Sequence, residues 1–298
     1  MAILYIRIGY LILTYYSYAI YSSHRTICSL SFRIAMDIAY SFAGLGVGFI
    51  VGLTGVGGGS LMTPLLVLLF GITPSVAVGT DLLYASITKT GGALVHGIKN
   101  SIQWKIVGWL ALGSVPAALI VVSMLSGRKA LSSSQEQIFS FSLGVMLLLT
   151  AISLVYRKSI QAWAERRSAG SSPVWLKPLY TVLVGAFLGV AVSLSSVGAG
   201  AVGVTALVLL YPKLSAAKIV GTDIAHAVPL TLIAGLGHAS LGHIDWPLLG
   251  SLLLGSLPGV ALGSMLSTRL PDIFVRHSLV VLLLLIGGRL AFFSGQIR

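Results

Sequence analysis

The amino-acid sequence predicts an all-α, polytopic membrane protein that consists of two homologous halves. Apolar residues make up 56% of the 298-residue chain and charged residues only 9%, whereas soluble domains carry about 25% charged residues. Segment after segment reaches the roughly 20 apolar residues that a helix needs to cross a bilayer. We therefore expect a multi-pass protein of the cell membrane (the inner membrane in a Gram-negative cell), with the lipid bilayer as a partner.

The formal net charge of +12 does not indicate a nucleic-acid partner. Soluble nucleic-acid-binding proteins gather basic residues on one folded face, whereas Lys and Arg here fall mainly between apolar runs, where they set membrane topology. Cys28 is the single cysteine, so neither an intrachain disulfide nor a thiolate metal site can form. The His, Asp and Glu spacing resembles no metal site, and we expect no metal or other cofactor.

An internal duplication is the most informative feature of the sequence. Val78–Trp104 aligns without a gap with Val220–Trp246, and both segments begin with Val-Gly-Thr-Asp and end with Trp. Gly113, in a Gly-Ser-Val-Pro motif, matches Gly255 in Gly-Ser-Leu-Pro. The ordered series of matches indicates two repeats of one unit.

Each half contains five apolar stretches, which we read from their length and their helix-breaking residues. In the first half they are 38–54, 60–71, 75–98, 104–125 and 137–156, and in the second 179–196, 201–211, 216–240, 246–266 and 273–293. The domains predicted on this basis are an N-terminal extension (1–35), a first transmembrane repeat (36–156), a linker (157–178) and a second repeat (179–298). The extension is either an additional helix or sequence upstream of the true start.

The distribution of basic residues predicts that the two halves are inverted in the membrane. The linker is rich in Lys and Arg and is therefore expected in the cytoplasm. If each half crosses five times, most remaining loop charges share the linker's side, namely Lys99, Lys105, Lys213, Lys218, Arg269 and Arg276, with Arg128 and Lys129 opposite. If each half crossed four times, most of these loop charges would instead lie on the side opposite the linker. We thus predict an inverted repeat with eight to ten crossings, apart from the extension.

Glycine clusters interrupt the apolar sequence at equivalent points of both halves, and we interpret them as an anion site. Interrupted helices of inverted repeats often meet near the membrane midplane, where helix N-termini offer unpaired N–H groups and a partial positive charge. The predicted site residues are Gly57, Gly58, Gly59, Gly198 and Gly200, with the hydroxyls of Ser60, Thr80 and Thr222. The alternative is that these small residues only allow close helix packing.

Ionisable residues within the apolar stretches are few and are the candidates for charge-dependent steps. Lys89 lies deep in its stretch and aligns with Thr231, so the other half has no equivalent cation. An intramembrane Lys is costly and predicts an anion contact or a proton carrier; the alternative is snorkelling or pairing with Asp81. We name Asp81, Asp223 and His226 as candidates for proton coupling, with helix capping as the alternative for the two aspartates.

Three further histidines, His96, His238 and His243, fall near predicted loop ends. Histidine can titrate during transport. At loop ends, however, we expect these three to be solvated rather than buried.

The residues around the first glycine cluster resemble the sulfite exporter TauE/SafE family of membrane permeases. The likeness rests on the Gly-rich break, Pro64-Leu65-Leu66 after it, the Val-Gly-Thr-Asp motif and the later Gly-Ser-Val-Pro, and it extends from about Met36 to the C-terminus. The second half departs from the pattern, since Ala199, Ala201 and Thr205 stand where the first half has Gly58, Ser60 and Pro64.

The resemblance implies a secondary transporter for a small anion, such as sulfite, an organosulfonate or a related sulfur-containing anion. It implies no enzyme activity, and the sequence leaves open whether the chain forms a homo-oligomer. A transporter or channel for a different small solute is the alternative. Gly58-Gly59-Ser60-Leu61 also resembles the serine motif of an intramembrane hydrolase, but no arrangement of nucleophile, base and orienting group can be argued around Ser60.

Overall fold

The computed structural model describes residues 36–53, 59–126, 133–167, 174–266 and 272–292. Within these ranges the chain is α-helical, apart from short turns and a 3₁₀ turn at Val174–Leu176, and contains no strand. In the first half the helices are α1 (Met36–Leu53), α2 (Gly59–Leu69), α3 (Pro74–Ile98), α4 (Trp104–Ser126) and α5 (Ser133–Arg167). In the second half they are α6 (Lys177–Ser195), α7 (Ala201–Leu210), α8 (Ala216–Ser240), α9 (Trp246–Leu266) and α10 (Asp272–Phe292).

The described helices confirm a multi-pass membrane protein. Six of them, α1, α4, α5, α6, α8 and α9, contain a segment long and apolar enough to cross a bilayer. Large apolar side chains remain exposed on the outer surface, including Leu254 at 75% and Leu285 at 71%, and lipid would cover such a surface. The total of eight to ten crossings stays a prediction.

The two short helices that follow the glycine clusters cannot span a bilayer alone. Helix α2 has 11 residues and α7 has 10, which corresponds to about 15 to 17 Å at 1.5 Å per residue. The hydrocarbon core is about 30 Å thick. Each short helix therefore covers only about half of the core thickness.

Helix α5 is longer than the sequence analysis predicted. The expected stretch ended near residue 156, but the helix continues to Arg167. The polar residues after Tyr156 contain no Pro or Gly that would end a helix, so the first part of the predicted linker is helical.

Equivalent helices of the two halves make equivalent contacts. Helix α4 packs closely on α6 at Gly113, where an added Cβ atom would overlap the carbonyl oxygen of Val182. Helix α9 packs on α1 in the same way at Gly255, where an added Cβ would overlap the carbonyl oxygen of Ser41. The first helix of each half therefore lies against the fourth helix of the other half, with glycine at the crossing because only glycine allows that approach.

The central pair, α3 and α8, are also equivalent helices, and they run in opposite directions. Gly235 of α8 faces Leu83 early in α3, whereas Gly92 late in α3 faces Ile224 early in α8. A two-fold relation between antiparallel equivalents has its axis perpendicular to the helices. This is the relation that an inverted repeat would have; the orientation of each half in the membrane stays a prediction.

Several predictions concern residues outside the described ranges. The N-terminal extension (1–35), with Cys28, is one, and the predicted site residues Gly57 and Gly58 are others.

The core of the described bundle lies where α2, α3, α5, α9 and α10 meet, around Met62, Leu66 and Tyr84.

Candidate functional site

The break between α6 and α7 is held open by left-handed backbone conformations. Helix α6 ends at Ser195, and the next residue, Ser196, has φ of 57°. Gly198 and Gly200 have φ of 120° and 145°, values that residues with side chains rarely adopt. Gly200 is the N-cap of α7. The N–H of Gly203 donates to the carbonyl oxygen of Gly198 at 3.0 Å and that of Val204 donates to the carbonyl oxygen of Gly200 at 2.8 Å, so the N–H groups of Ala201 and Val202 are the ones that helix geometry leaves without an intrahelical partner.

Lys89 connects the other half of the protein to this break. Its Nζ donates a hydrogen bond of 2.7 Å to the carbonyl oxygen of Ala199. The ammonium group has three hydrogens, so two remain for other acceptors. The contact places a side-chain cation beside the positive end of the α7 dipole.

A cavity of about 270 Å³ adjoins Lys89 and the N-terminus of α7. Its charged lining residues are Lys89, Arg157 and Asp223, and three hydroxyl residues join them. The remaining lining is apolar or small, contributed by Val51, Gly92, Leu154, Ala199, Gly200, Ala201, Val204, Val220, Ile224 and Val260. Two cations and one carboxylate in a largely apolar wall would favour an anionic ligand over a cationic one.

The two intramembrane aspartates each face the short helix that follows a break. Asp223 is 1% exposed, and its carboxylate contacts α7 so closely that a Cβ on Gly203 would overlap it. Asp81, fully buried, accepts a hydrogen bond from Thr63 Oγ1 on α2. Both carboxylates interact electrostatically with Lys89. The capping alternative is wrong, because neither α3 nor α8 has an acidic residue in its first turn.

Thr80 and Thr222 do not line the cavity. Thr80 Oγ1 accepts a hydrogen bond of 3.1 Å from the backbone N–H of Asp245, and Thr222 Oγ1 accepts one of 3.0 Å from that of Gln103. These equivalent contacts tie each central helix to the turn that precedes the fourth helix of the other half. The hydroxyl groups of Thr80 and Thr222 therefore have a structural role, which is to hold the two halves together.

The other predicted site residues occupy different surroundings. Gly59 begins α2, and Ser60 follows it, buried at 7% exposure. Gly198 lies in the α6–α7 break, and Gly200 lines the cavity. The structure thus brings Lys89, Gly200 and Asp223 together and leaves Gly59, Ser60, Thr80 and Thr222 out of the cavity lining.

His226 lies one turn from Asp223 but faces a different helix. Its Nε2 is 2.8 Å from Ser114 Oγ on α4, and its Nδ1 has no partner among the described residues. In the other half Tyr84 interacts with Ser256 at the equivalent place. Tyrosine does not titrate near neutral pH, so Tyr84 shows that this helix contact can be made without the titratable side chain that His226 has.

The expectation of solvated loop-end histidines is wrong for His238 and His243, which are buried at 0% and 6% exposure. The Nε2 of His238 is 2.9 Å from the carbonyl oxygen of Ser193 and must donate, and in a neutral ring its Nδ1 then accepts from His243 Nδ1 at 3.2 Å. Burial lowers the pKa of His243, and Glu136 partly opposes that shift. The packing of other helices encloses His238 and His243. A position near a loop in the sequence does not reveal such packing.

Four polar lining residues were missed as site residues by the sequence analysis: Thr88, Ser153, Arg157 and Thr205. Arg157 was treated only as a linker charge, although it follows Ser153 by four residues and hence lies on the same helical face. Thr205 was noted only as a departure from the pattern of the first half. The spacing of Ser153 and Arg157 was the available signal.

A polytopic helical bundle with a break between helices beside a charged cavity is the architecture expected of a membrane transporter. The chain belongs to the sulfite exporter TauE/SafE family, whose model matches residues 40–290.

Similar proteins are probable membrane transporters. YjnA of Bacillus subtilis (strain 168) is 42% identical over 249 residues, covering 83% of this chain and 97% of that protein. YdhB of the same strain is 28% identical over 235 residues, covering 78% and 91%. A relative from Xylella fastidiosa (strain 9a5c) is 25% identical over 224 residues, covering 75% and 82%. No solved structure matches the chain.

Proposed function

We propose that this transporter moves a small sulfur-containing anion, such as sulfite or an organosulfonate, and binds it in the cavity beside the α6–α7 break. The observation that carries the proposal is the hydrogen bond from Lys89 Nζ to Ala199 O. It fixes a cation where the N-terminus of α7 already favours negative charge. An anion there would meet the ammonium group and the N–H groups of Ala201 and Val202 at the start of α7 at once.

The energetics suit transport rather than tight binding. A helix N-terminus stabilises an anion by about 0.3–2 kcal/mol, and a hydrogen bond to a charged group adds about 1.5–3 kcal/mol. These contributions are partly offset by the cost of removing the anion from water. The balance favours reversible binding, which turnover requires.

Asp223 is our candidate for coupling transport to protons, with Asp81 and His226 as alternatives. Asp223 lines the cavity and its Oδ1 has no hydrogen-bond partner among the described residues. Protonation would remove the negative charge that Asp223 contributes to the lining and would make the cavity more favourable for an anion. Proton and anion would therefore bind cooperatively.

A hydrolase is the competing class of function. The pair Ser114–His226 has the short contact of a nucleophile and its base. However, both side chains are fully buried, and no carboxylate orients His226 Nδ1 within the described part of the chain. Among the described residues, the pair is closed off from solvent and has no third member of a triad, so transport is the better account.

Purified protein in liposomes tests the proposal. We expect uptake or efflux of sulfite, methanesulfonate or a longer organosulfonate, with slower movement of sulfate and chloride. Lys89→Gln should lose this transport, while Thr231→Val, at the equivalent place in α8, should retain it. Movement of a cation or a neutral solute, with no sulfur anion moved, would favour the alternative of a transporter or channel for another solute.

A further inference from the structure

A pair of histidines lies at the end of the bundle at which α3 and α5 begin and α8 ends. His238 is in the last turn of α8 and His243 is in the turn before α9, with their Nδ1 atoms 3.2 Å apart. Phe139 on α5 is fully buried and packs edge-on against both rings, at centroid distances of 5.7 and 6.2 Å. Gly79 of α3 is so close that an added Cβ would overlap the carbonyl oxygen of His243. Helices α3, α5 and α8 and the α8–α9 turn therefore meet at this pair.

The same pair is connected to the α6–α7 break. His238 Nε2 donates to the carbonyl oxygen of Ser193 at 2.9 Å. Ser193 belongs to the last turn of α6, where carbonyl groups lack intrahelical N–H partners. The N–H four residues further on, that of Val197, donates to Ser195 Oγ instead. His238 therefore holds the end of α6 that leads into the break.

The chemistry of the contact limits how many protons the pair can hold. A hydrogen bond between two Nδ1 atoms needs one N–H group and one lone pair. The neutral pair meets this condition, and so does a pair with one added proton, although that proton leaves a positive charge in a buried place. A second added proton puts an N–H group on both Nδ1 atoms and breaks the bond. His238 and His243 therefore titrate as one unit.

The acidic groups near the pair in the described part of the chain already have partners. Glu136, at the start of α5, interacts electrostatically with His243. Its two carboxylate oxygens accept hydrogen bonds from Ser75 at the start of α3, one from the N–H at 3.1 Å and one from the hydroxyl at 2.6 Å. Asp245 accepts a hydrogen bond from the N–H of Leu248 at 3.0 Å. These carboxylates therefore offset an added proton only in part.

The opposite end of the bundle has a hydroxyl group in place of the second histidine. His96 and Ser101 occupy the positions equivalent to His238 and His243, and His96 Nδ1 is 2.8 Å from Ser101 Oγ. A hydroxyl group can accept from an N–H while it donates its own hydrogen, here to the carbonyl oxygen of His96 at 2.9 Å. This contact can therefore persist when His96 is protonated, and only the His238–His243 end is sensitive to a second proton.

We infer that the His238–His243 pair is a proton-binding latch, which holds this end of the bundle closed against the α6–α7 break when neutral and releases it when both rings are protonated. The inference goes beyond the proposed function, because it concerns access to the break and holds whichever solute is moved. Protonation of histidine clusters is a known way of changing packed interfaces in mild acid. If opening takes up one proton, the ratio of open to closed protein rises about tenfold for each pH unit below the ordinary histidine pKa of about 6.5.

Thiol labelling in detergent tests the latch without a transport assay. In a Cys28→Ser background, Ser193→Cys replaces a fully buried hydroxyl that has no hydrogen-bond partner among the described residues, and it retains the carbonyl group that His238 contacts. Thr150→Cys, on α5 and 2% exposed, reports unfolding of the whole bundle. The rate of reaction with a charged methanethiosulfonate reagent is measured between about pH 7.5 and pH 5.5. Dividing each rate by that of the same cysteine in a His238→Gln background cancels the titration of the thiol itself.

We expect acidification to raise the relative labelling rate of Ser193→Cys by roughly tenfold and to leave Thr150→Cys protected. His243→Ser, which copies the His96–Ser101 contact, should remove most of this increase. His96→Gln is the matched control at the opposite end and should keep it. Elution as a single species in size-exclusion chromatography at neutral pH shows that each variant is folded.

Three results would overturn the inference. A relative rate that does not change with pH would show that protons do not release the pair. An equal increase in His243→Ser would assign the response to other groups, and an equal increase at Thr150→Cys would mean that acid unfolds the bundle as a whole. A failure to move sulfite or sulfonates would refute the proposed function and leave the labelling result standing.

Discussion

Lys89 on α3 donates a 2.7 Å hydrogen bond to the carbonyl oxygen of Ala199 in the break of the opposite half. Its counterpart Thr231 instead donates to Ala227, one turn back on its own helix, at 2.8 Å. The duplication is therefore symmetric in its helices and asymmetric at its charged centre. A cation that one half supplies serves the break of the other.

Replacing Lys89 should impair transport more than folding. Lys89→Gln removes the charge and should lower the transport rate by roughly 10- to 100-fold, the effect of losing 1.5–3 kcal/mol of charge-assisted bonding. Lys89→Arg should retain part of the activity. The measurement is anion flux per folded molecule in proteoliposomes, and normal flux in Lys89→Gln would place the anion elsewhere.

A side chain at Gly200 should stop transport because the backbone there is both strained for other residues and exposed to the cavity. We expect Gly200→Leu to lose flux almost completely and Gly200→Ala to lose most of it. Gly242→Ala is the control, since Gly242 also has a positive φ of 77° but an added Cβ there meets open space. Equal losses in Gly200→Ala and Gly242→Ala would attribute the effect to backbone strain alone.

Asp223→Asn should separate anion movement from proton coupling. The amide keeps the size of the side chain but holds no titratable proton, so flux should persist down an anion gradient and no longer respond to an imposed pH gradient. Asp81→Asn, at the equivalent position outside the cavity lining, is the comparison and should keep the response to the pH gradient. A pH-driven flux that survives in Asp223→Asn assigns coupling to another group.

Single cysteines should reveal the orientation of the two halves. In a Cys28→Ser background, we expect Lys99→Cys and Arg276→Cys to react with an impermeant reagent from the cytoplasmic side. Arg128→Cys should react from the opposite side. Labelling of positions 99 and 276 from opposite sides would contradict the inverted repeat.

Acid should destabilise the protein through His243. Burial lowers the pKa of His243 below its ordinary 6.5, so the folded protein is more stable when His243 is neutral than when it is protonated. That contribution is complete above about pH 6.5 and is lost as the pH falls below this value toward the lower folded pKa. Melting temperatures across this range should fall less steeply for His243→Asn than for wild type, and identical slopes would refute the assignment.

Local sequence anticipated most helices because apolar length and helix-breaking residues act within one segment. The stretch predicted at 201–211 is α7 at Ala201–Leu210, and that at 246–266 is α9. The end of α5 was misplaced because polar residues can extend a helix as well as end it. Cavity residues such as Arg157 and Thr205 were missed because their common surface joins helices that are distant in sequence.

The sequence by itself determined the membrane class, the duplication and the family, since these depend on composition and on ordered motifs. It also singled out Lys89 and Asp223, because intramembrane charge is rare enough to stand out. Only the tertiary structure decided which candidates share a cavity. Thr80 and Thr222 lie on the same central helices as Lys89 and Asp223, but bond to turns of the opposite half. Helix packing sets the direction in which each side chain points, and that packing arises from contacts between the halves that no single segment encodes.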